Sequence, residues 1–286
     1  MTLSLLFEKQ GGLLPHILNI IAVHLAFVSL LGCKAKKPED SDVEMARGKL
    51  ARGSESFLAP FVSLEMAMGG DFASSCSGVL LGPRHALTAA HCLDKILAAR
   101  VTGYDQKLGK SSVAAGAWQM HPEWGKTKVK SGPERHKHDL GIVVLAKELA
   151  GPYAKIDASE RSNLKNAVYV GIGRSEGNAD DDKIRYATDI DTFRLKYKPD
   201  GGTWISRGAA ILCSGDSGGP LFAGDGGLLG IAAAVAFEEK QKQDCGAGKR
   251  VYHADVRESI VWIVCSFAKA GYPLPNYPIP SPESCR

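Results

Sequence analysis

Short apolar runs broken by glycine, proline and asparagine fill the chain from about residue 60 onward. Phe61–Leu64, Gly78–Leu81, Ile142–Leu145, Ala167–Ile172 and Leu228–Ile231 are four to six residues long. That length suits strands and is too short for a buried helix. Many such strands divided by turn residues point to an all-β barrel or sandwich. One segment departs from the pattern. From Val256 to Lys269 the apolar positions Ile260, Val261, Ile263, Val264 and Phe267 recur at helical spacing, and Gly271 and Pro273 follow as stop signals. No internal repeat is evident.

A different pattern opens the chain. Leu13 to Leu31 is almost wholly apolar, is preceded by Glu8 and Lys9, and ends in Leu30-Leu31-Gly32-Cys33. Residues 1–32 therefore read as a targeting segment. The ending resembles a bacterial lipoprotein signal, in which the segment is removed and the cysteine, here Cys33, carries the lipid. The run is also near the length that spans a bilayer, so an uncleaved anchor is the rival reading, with simple secretion a third. Lys34 to Asp42 is polar and charged, a solvated tether with no core to bury. Residues 33–49 form this tether and an activation segment, and residues 50–286 the functional domain.

Composition narrows the picture slightly. The 286 residues are 44% hydrophobic and 23% charged, enough for one large domain or two small ones. Thirty-five basic against 31 acidic residues leave a net charge of +4, too mild to argue for a nucleic-acid partner. There are seven cysteines. With Cys33 lipidated, an even number remains, as expected of an exported protein.

Chemistry concentrates in three segments. Cys213-Ser-Gly-Asp-Ser-Gly-Gly-Pro-Leu221 places Ser217 in a glycine-rich turn, where a hydroxyl is exposed and backbone N–H groups converge. A serine hydroxyl needs a neighbouring base to act as a nucleophile. Leu87-Thr-Ala-Ala-His-Cys92 supplies His91, and His138-Asp-Leu-Gly-Ile-Val-Val-Leu145 supplies Asp139. In this order the three segments closely resemble the chymotrypsin/trypsin family of serine proteases, and the resemblance runs from about Leu50 to Trp262.

The resemblance implies two six-stranded antiparallel β-barrels, about residues 50–155 and 156–286, with the site in the cleft between them and a C-terminal helix. The boundary is expected near Leu149 to Asn163. Ser217 matches the nucleophile, His91 the general base and acid, and Asp139 the group that orients His91. The N–H groups of Gly215 and Ser217 match the oxyanion hole. Cys76–Cys92 and Cys213–Cys245 match family bridges. Cys265 and Cys285 have no counterpart, leaving either a third pair that pins the proline-rich tail to the last helix or two free thiols. The implied activity is peptide-bond hydrolysis on a peptide or protein substrate, with no metal and no organic cofactor. Membrane contact is expected only through a lipid anchor before processing.

In the family, the carboxylate matched by Asp216 pairs with a newly freed terminal ammonium. The candidate terminus here is Leu50, released by cleavage after Lys49, although Arg52 replaces a small residue of the family's pattern. No disulfide joins the tether to the body, so this cleavage also frees the domain from its lipid. The specificity pocket departs from trypsin. Ile211, six residues before the nucleophile, replaces the aspartate of the pocket floor, and a neutral floor cannot pair with lysine or arginine. On the wall strand, Ala233 replaces a serine, Ala234 a tryptophan and Val235 a glycine, as in elastase-like enzymes that take small residues. Arg250 stands where most members have glycine, and an arginine facing a dry pocket pairs well with a carboxylate. Two preferences are open, acidic or small apolar, and so is a solvent-facing Arg250 paired with Glu238, Glu239 or Asp244.

Weaker signals add little. Lys126 to His138 is rich in cations and reads as a solvated loop, with attraction of acidic substrates to the cleft rim as the alternative. His136 and His138 lack further ligands at zinc spacing. Asn178, Asp180, Asp181 and Asp182 lack the EF-hand order and read as a surface turn. Gly215-Asp-Ser-Gly-Gly219 also satisfies the nucleophile elbow of α/β-hydrolase esterases, with Asp244 and His253 as nominal partners. About 36 residues between Ser217 and His253 are too few for the elements of that fold. A catalytically silent, protease-like binding module is the other alternative, suggested by the altered wall strand and the imperfect activation site.

Overall fold

The computed structural model describes residues 49–52, 55–125, 136–173, 183–196, 202–207, 213–236 and 250–285, apart from the side chains of residues 50, 73, 235 and 236. The chain divides into two units, Met1–Asp40 and Ser41–Arg286. The targeting segment, Cys33 and the tether up to residue 48 lie outside the described residues. No helix among the described residues is long and apolar enough to cross a membrane.

A two-residue strand, β1 (Lys49–Leu50), precedes the barrels. The first barrel comprises β2 (Phe61–Ala67), β3 (Phe72–Gly82), β4 (His85–Thr88), β5 (Ala98–Tyr104), β6 (Lys110–Met120) and β7 (Gly141–Leu145). It closes in the order β2-β3-β4-β7-β6-β5. The second comprises β8 (Asn163–Gly171), β9 (Arg185–Lys196), β10 (Gly202–Arg207), β11 (Pro220–Phe222), β12 (Leu228–Ala236) and β13 (Arg250–Asp255). Its order is β9-β10-β13-β12-β11-β8, and the β8–β9 pairing closes it, with β1 added at β9. All these pairings are antiparallel, so the expected two six-stranded barrels are present, and no parallel sheet of the α/β-hydrolase kind occurs among the described residues. The helical run divides into a 3-10 turn at Arg257–Ser259 and an α-helix, α1 (Ile260–Lys269).

Burial explains the patterning. Every residue of β7 is buried, because β7 belongs to the closed barrel and also packs against α1. A strand covered on both faces reads as an unbroken apolar run. β6 is only partly covered and alternates instead. One core cluster joins Phe61, Leu64, Leu87 and Ile142 of the first barrel to Val170, Phe222 and Ile231 of the second and to Ile263 and Phe267 of α1. Full burial of each such large side chain contributes roughly 1.5–3 kcal/mol, so the seam between barrels is held hydrophobically. A second cluster around Ile190, Trp204, Leu221 and Val251 fills the second barrel.

The tail is strapped down. Cys265 of α1 is bonded to Cys285, which settles the open choice in favour of a third pair. Gly271 N and Tyr272 N donate to the Ala268 and Phe267 carbonyls at 3.0 Å each, ending the helix in a Schellman turn. Ile156 N, in the linker between barrels, donates to the Tyr277 hydroxyl at 2.7 Å. A cavity of about 620 Å³ beside this linker is lined by Phe57, Tyr153, Ile156 and Phe222, among others, and by none of the three segments that carry the candidate chemistry.

His253 is 1% exposed in β13. Its Nε2 is 2.8 Å from Ser206 Oγ, and its Nδ1 has no partner. Burial pushes the ring down to about 3 from 6.5. The folded chain thus binds fewer protons than the unfolded chain between those values, and stability falls as pH drops below 6.5. At pH 4.5 the loss attributable to this ring is about 3 kcal/mol relative to pH 7.5, at roughly 1.4 kcal/mol per unit. Urea unfolding at the two pH values checks it: His253→Gln should lose markedly less stability on acidification than the parent.

Candidate active site

His91 lies in the 3-10 turn Ala90–Leu93 that follows β4, and the next residue, Cys92, is bonded to Cys76 of β3. The turn is therefore fixed to two strands of the first barrel. Asp139, just before β7, is 3% exposed. Its Oδ1 accepts the His91 backbone N–H at 2.9 Å, and its Oδ2 lies 2.7 Å from His91 Nδ1. One carboxylate thus grips the residue at two points and commits Nδ1 to carrying a proton, leaving Nε2 to act as a base when the ring is neutral. Burial alone pushes the His91 ring down, but the hydrogen bond and the negative charge of Asp139 outweigh it, and the pKa lies above its ordinary value.

The Ser217 turn is attached to the first barrel through Ser77, a fully buried residue of β3. Ser77 N donates to the Ser217 carbonyl at 2.7 Å, and Ser77 Oγ donates to the Gly215 carbonyl at 2.8 Å. The same Oγ accepts Ile172 N at 3.1 Å, and the Ser77 carbonyl accepts the Thr88 hydroxyl at 2.7 Å. Gly218 completes the fit: at φ +85°, a Cβ there would lie 2.2 Å from the Ser77 carbonyl oxygen. Gly215, at φ +100°, likewise needs the left-handed freedom of glycine. The Ser217 carbonyl oxygen lies 3.7 Å from Cys92 Sγ, so the Ser217 turn packs against the residue that follows His91.

Two further features of the turn matter. Among the described residues, no hydrogen bond joins the Ser217 hydroxyl to the His91 ring, and none engages Gly215 N–H or Ser217 N–H. The unused N–H pair is what an oxyanion requires. A nucleophile–base bond absent at rest is compatible with catalysis, since such contacts commonly tighten only with substrate bound.

Asp216 is buried, and its carboxyl accepts Gly173 N–H at 2.7 Å and Cys213 N–H at 2.8 Å. Burial raises its pKa to about 6, against the lowering effect of those two N–H groups and of nearby Arg185. Arg185 donates to the Gly173 carbonyl at 3.3 Å and is the cross-strand partner of Leu50. The expected Leu50–Asp216 ion pair is therefore not made in this uncleaved chain, where the backbone of Leu50 is paired in β1.

The pocket residues are partly visible. β12 runs beside the Ser217 turn: Gly218 N donates to the Ala232 carbonyl at 2.8 Å and Ala232 N to the Gly219 carbonyl at 2.9 Å. Ala233 is 8% exposed and Ala234 is half-buried, opposite Tyr252 of β13. The Tyr252 ring stacks on His136, which lies three residues before Asp139, at 5.6 Å between centroids and 15° between planes. His138 stacks instead on His121 at 4.5 Å, so the two histidines of this loop go to different partners. Arg250 is exposed at the start of β13. Ile211, Cys245, Asp244, Glu238, Glu239 and residues 174–182 lie outside the described residues, as does the side chain of Val235. Cys213 is disulfide-bonded. His253 is wholly buried against Ser206, away from any role as an exposed base. Cys76, His91 and Cys92 bring sulfur and nitrogen within 4.8 Å of one another, but the two sulfurs are bonded together and leave no thiolate for a metal. Ser77 and Arg185 carried no signal in the sequence, because each acts through a partner distant along the chain.

Residues 60–256 match the family model described as Trypsin. The chain is 24% identical over 253 residues to spermosin of Halocynthia roretzi, covering 78% of this chain and 63% of that protein. It is 25% identical over 202 residues to chymotrypsin-like elastase family member 1 of Macaca fascicularis, covering 63% and 74%. The chain thus spans less than two thirds of spermosin and about three quarters of the elastase relative. Among solved structures, it is similar in fold to the Vibrio cholerae VesB protease, with a TM-score of 0.55 at 21% identity, covering 78% of this chain and 68% of that one. It is also similar to mouse neuropsin, with a TM-score of 0.56 at 21% identity, covering 76% and 96%.

The state of Asp216 is measurable. With its folded pKa above the ordinary carboxylate value, the group opposes folding increasingly as pH rises from about 4 to about 6. In ¹³C-aspartate-labelled full-length chain, one carboxyl resonance should titrate near pH 6 and disappear in Asp216→Asn. A spectrum in which every aspartate titrates below pH 5 contradicts this description of the site.

Proposed function

Because the chain belongs to the trypsin family, we propose that it is a serine endopeptidase working through an acyl-enzyme intermediate. Ser217 Oγ attacks the carbonyl carbon of the scissile bond while His91 Nε2 takes its proton. Asp139 holds the resulting imidazolium in place. The N–H groups of Gly215 and Ser217 stabilise the oxyanion. Collapse passes the proton from His91 to the leaving amine, and water then repeats the sequence on the acyl group, regenerating Ser217. The observation that carries this reading is the double grip of Asp139 on His91, beside an Ser217 turn anchored to the same barrel.

A peptide substrate fits the exposed edge of β12. Beyond Ala232, among the described residues, that strand is paired on one side only, by β13. An extended peptide extends a sheet at such an edge through main-chain hydrogen bonds. Specificity in this reading is not tryptic, given Ile211, and favours an acidic or a small apolar residue before the cut. Activation follows cleavage after Lys49: β1 detaches from β9, and the Leu50 ammonium supplies the cation that Asp216 lacks. Export, through a leader at residues 1–32 with Cys33 as lipid site, is supported by the disulfides of the domain.

Ser217→Ala and His91→Ala should each lower kcat by at least about a thousandfold on a peptide library. A fluorophosphonate should label the processed parent and not Ser217→Ala. His91 must be neutral to act, and its pKa is raised, so kcat/KM should climb with pH through a value above 6.5 and be lost below it. A profile flat to pH 4, or a folded, processed parent that never labels, contradicts the proposal and favours a binding module.

A further inference from the structure

Three consecutive peptide units make up the Ser217 turn, and their hydrogen bonding is uneven. In a trans peptide the carbonyl and the N–H point in opposite directions, so whatever holds one sets the direction of the other. In the unit joining Gly215 to Asp216, the carbonyl accepts from Ser77 Oγ at 2.8 Å and Asp216 N donates to the Cys213 carbonyl at 3.0 Å. In the unit joining Ser217 to Gly218, the carbonyl accepts from Ser77 N at 2.7 Å and Gly218 N donates to the Ala232 carbonyl at 2.8 Å. Both ends of these two units are engaged. The middle unit, Asp216 to Ser217, is held at its carbonyl alone, and among the described residues Ser217 N–H has no partner.

The side chain that holds the middle unit is Tyr169. This residue of β8 is 7% exposed in the core of the second barrel, and its hydroxyl donates to the Asp216 carbonyl at 2.7 Å. Gly219 N donates to the same oxygen at 2.9 Å. Two glycines leave room for the hydroxyl: a Cβ at Gly219 would lie 2.6 Å from its oxygen, and one at Gly171 would lie 2.9 Å away. Burial, and then the charge of Asp216, raise the phenol well above its ordinary pKa, so the hydroxyl stays protonated and remains a donor. A buried tyrosine hydroxyl usually finds a hydrogen-bond partner somewhere. Here the partner is the carbonyl of the one unit in the turn whose N–H is left over for an oxyanion.

We propose that Tyr169 is a positioning residue of the oxyanion hole: by holding the Asp216 carbonyl, its hydroxyl aims Ser217 N–H at the substrate oxygen. This rests on the peptidase reading and adds to it a group beneath the turn, out of contact with His91 and Asp139. An oxyanion donor is most effective when it is already aimed before the charge develops. Loss of the aim weakens the hold on the transition state and leaves the binding of unreacted substrate intact.

Tyr169→Phe keeps the ring and removes the hydroxyl. Processed parent and variant are normalised by fluorophosphonate titration, then compared on the best-cleaved member of a peptide library and on the aldehyde of the same sequence, whose adduct with Ser217 carries the oxyanion. kcat should fall about tenfold, short of the roughly hundredfold expected for losing a donor outright, with KM within about twofold of the parent. Affinity for the aldehyde should fall by the same factor as kcat/KM. The midpoint of the pH profile should stay in place, since the hydroxyl does not touch His91. Tyr153→Phe, which removes a hydroxyl bonded to the Leu149 carbonyl at 3.3 Å, should change none of these. A second measurement needs no activity. With ¹³C at aspartate carbonyls and ¹⁵N in serine, the full-length chain has two Asp–Ser peptides, beginning at Asp40 and Asp216, and Ser217→Ala assigns the second. Its carbonyl resonance should move in Tyr169→Phe. An unchanged kcat in a variant that labels, a rise in KM that accounts for the whole loss, or an unmoved Asp216 carbonyl overturns the role of Tyr169 alone. A folded, processed parent that never labels overturns the peptidase reading, and this role with it.

Discussion

The attachment of the Ser217 turn to Ser77 is the contact on which the site depends. The first barrel carries His91 and Asp139 and the second carries the Ser217 turn, and the candidate site forms only where the two meet in one register. The shared apolar seam between Phe61, Phe222 and α1 supplies most of the attraction, but hydrophobic burial is non-directional and tolerates sliding. Ser77 removes that freedom. It is fully buried, and its N–H, hydroxyl and carbonyl are all engaged, three of those bonds reaching the second barrel. Leaving any of these buried groups unpaired costs about 1–3 kcal/mol, so a displaced register is penalised several times over.

The same seam holds two buried aspartates whose fates differ. Asp139 faces a ring that can carry positive charge, and the pair shares one strong contact. Asp216 faces backbone N–H groups and a guanidinium that binds the Gly173 carbonyl rather than the carboxylate. Hydrogen bonds from neutral donors offset only part of the cost of burying a charge. The two carboxylates differ in that Asp139 shares a hydrogen bond with a ring able to become a cation, whereas Asp216 is held by backbone N–H groups and feels Arg185 only as a nearby charge.

Much of the fold was legible along the chain. Runs such as Ile142–Leu145 announced strands because a strand covered on both faces cannot carry polar residues, and Ile260, Val264 and Phe267 announced α1 by their spacing. The segments around His91, Asp139 and Ser217 were legible for a different reason: tight turns and close approaches restrict residue type locally, as Gly218 does against Ser77. Ser77 itself was not legible. A serine beside a strand cysteine has no distinctive neighbours in sequence, and its role is defined by groups on β8 and after β10. Arg207, the stacking of Tyr252 on His136 and the pairing of Leu50 with Arg185 were hidden likewise, since contacts between distant segments are a property of both and neither one encodes them alone.

The choice between a small apolar and an acidic preference turns on what occupies the space opposite Ala234. Reading alanine as an opened apolar pocket assumes that nothing else fills the room a larger side chain would take. In the folded chain His136 comes across from the first barrel and stacks on the ring of Tyr252, the cross-strand partner of Ala234. The apolar surface of Tyr252 is thereby already satisfied, and Tyr252 is only 8% exposed. Among the described residues, Arg207 and Arg250 stand exposed and opposite each other on β10 and β13. A net charge of +4 over the whole chain says nothing of local fields, because a mild total is compatible with a strong one wherever like charges stand side by side, as Arg207 and Arg250 do across β10 and β13.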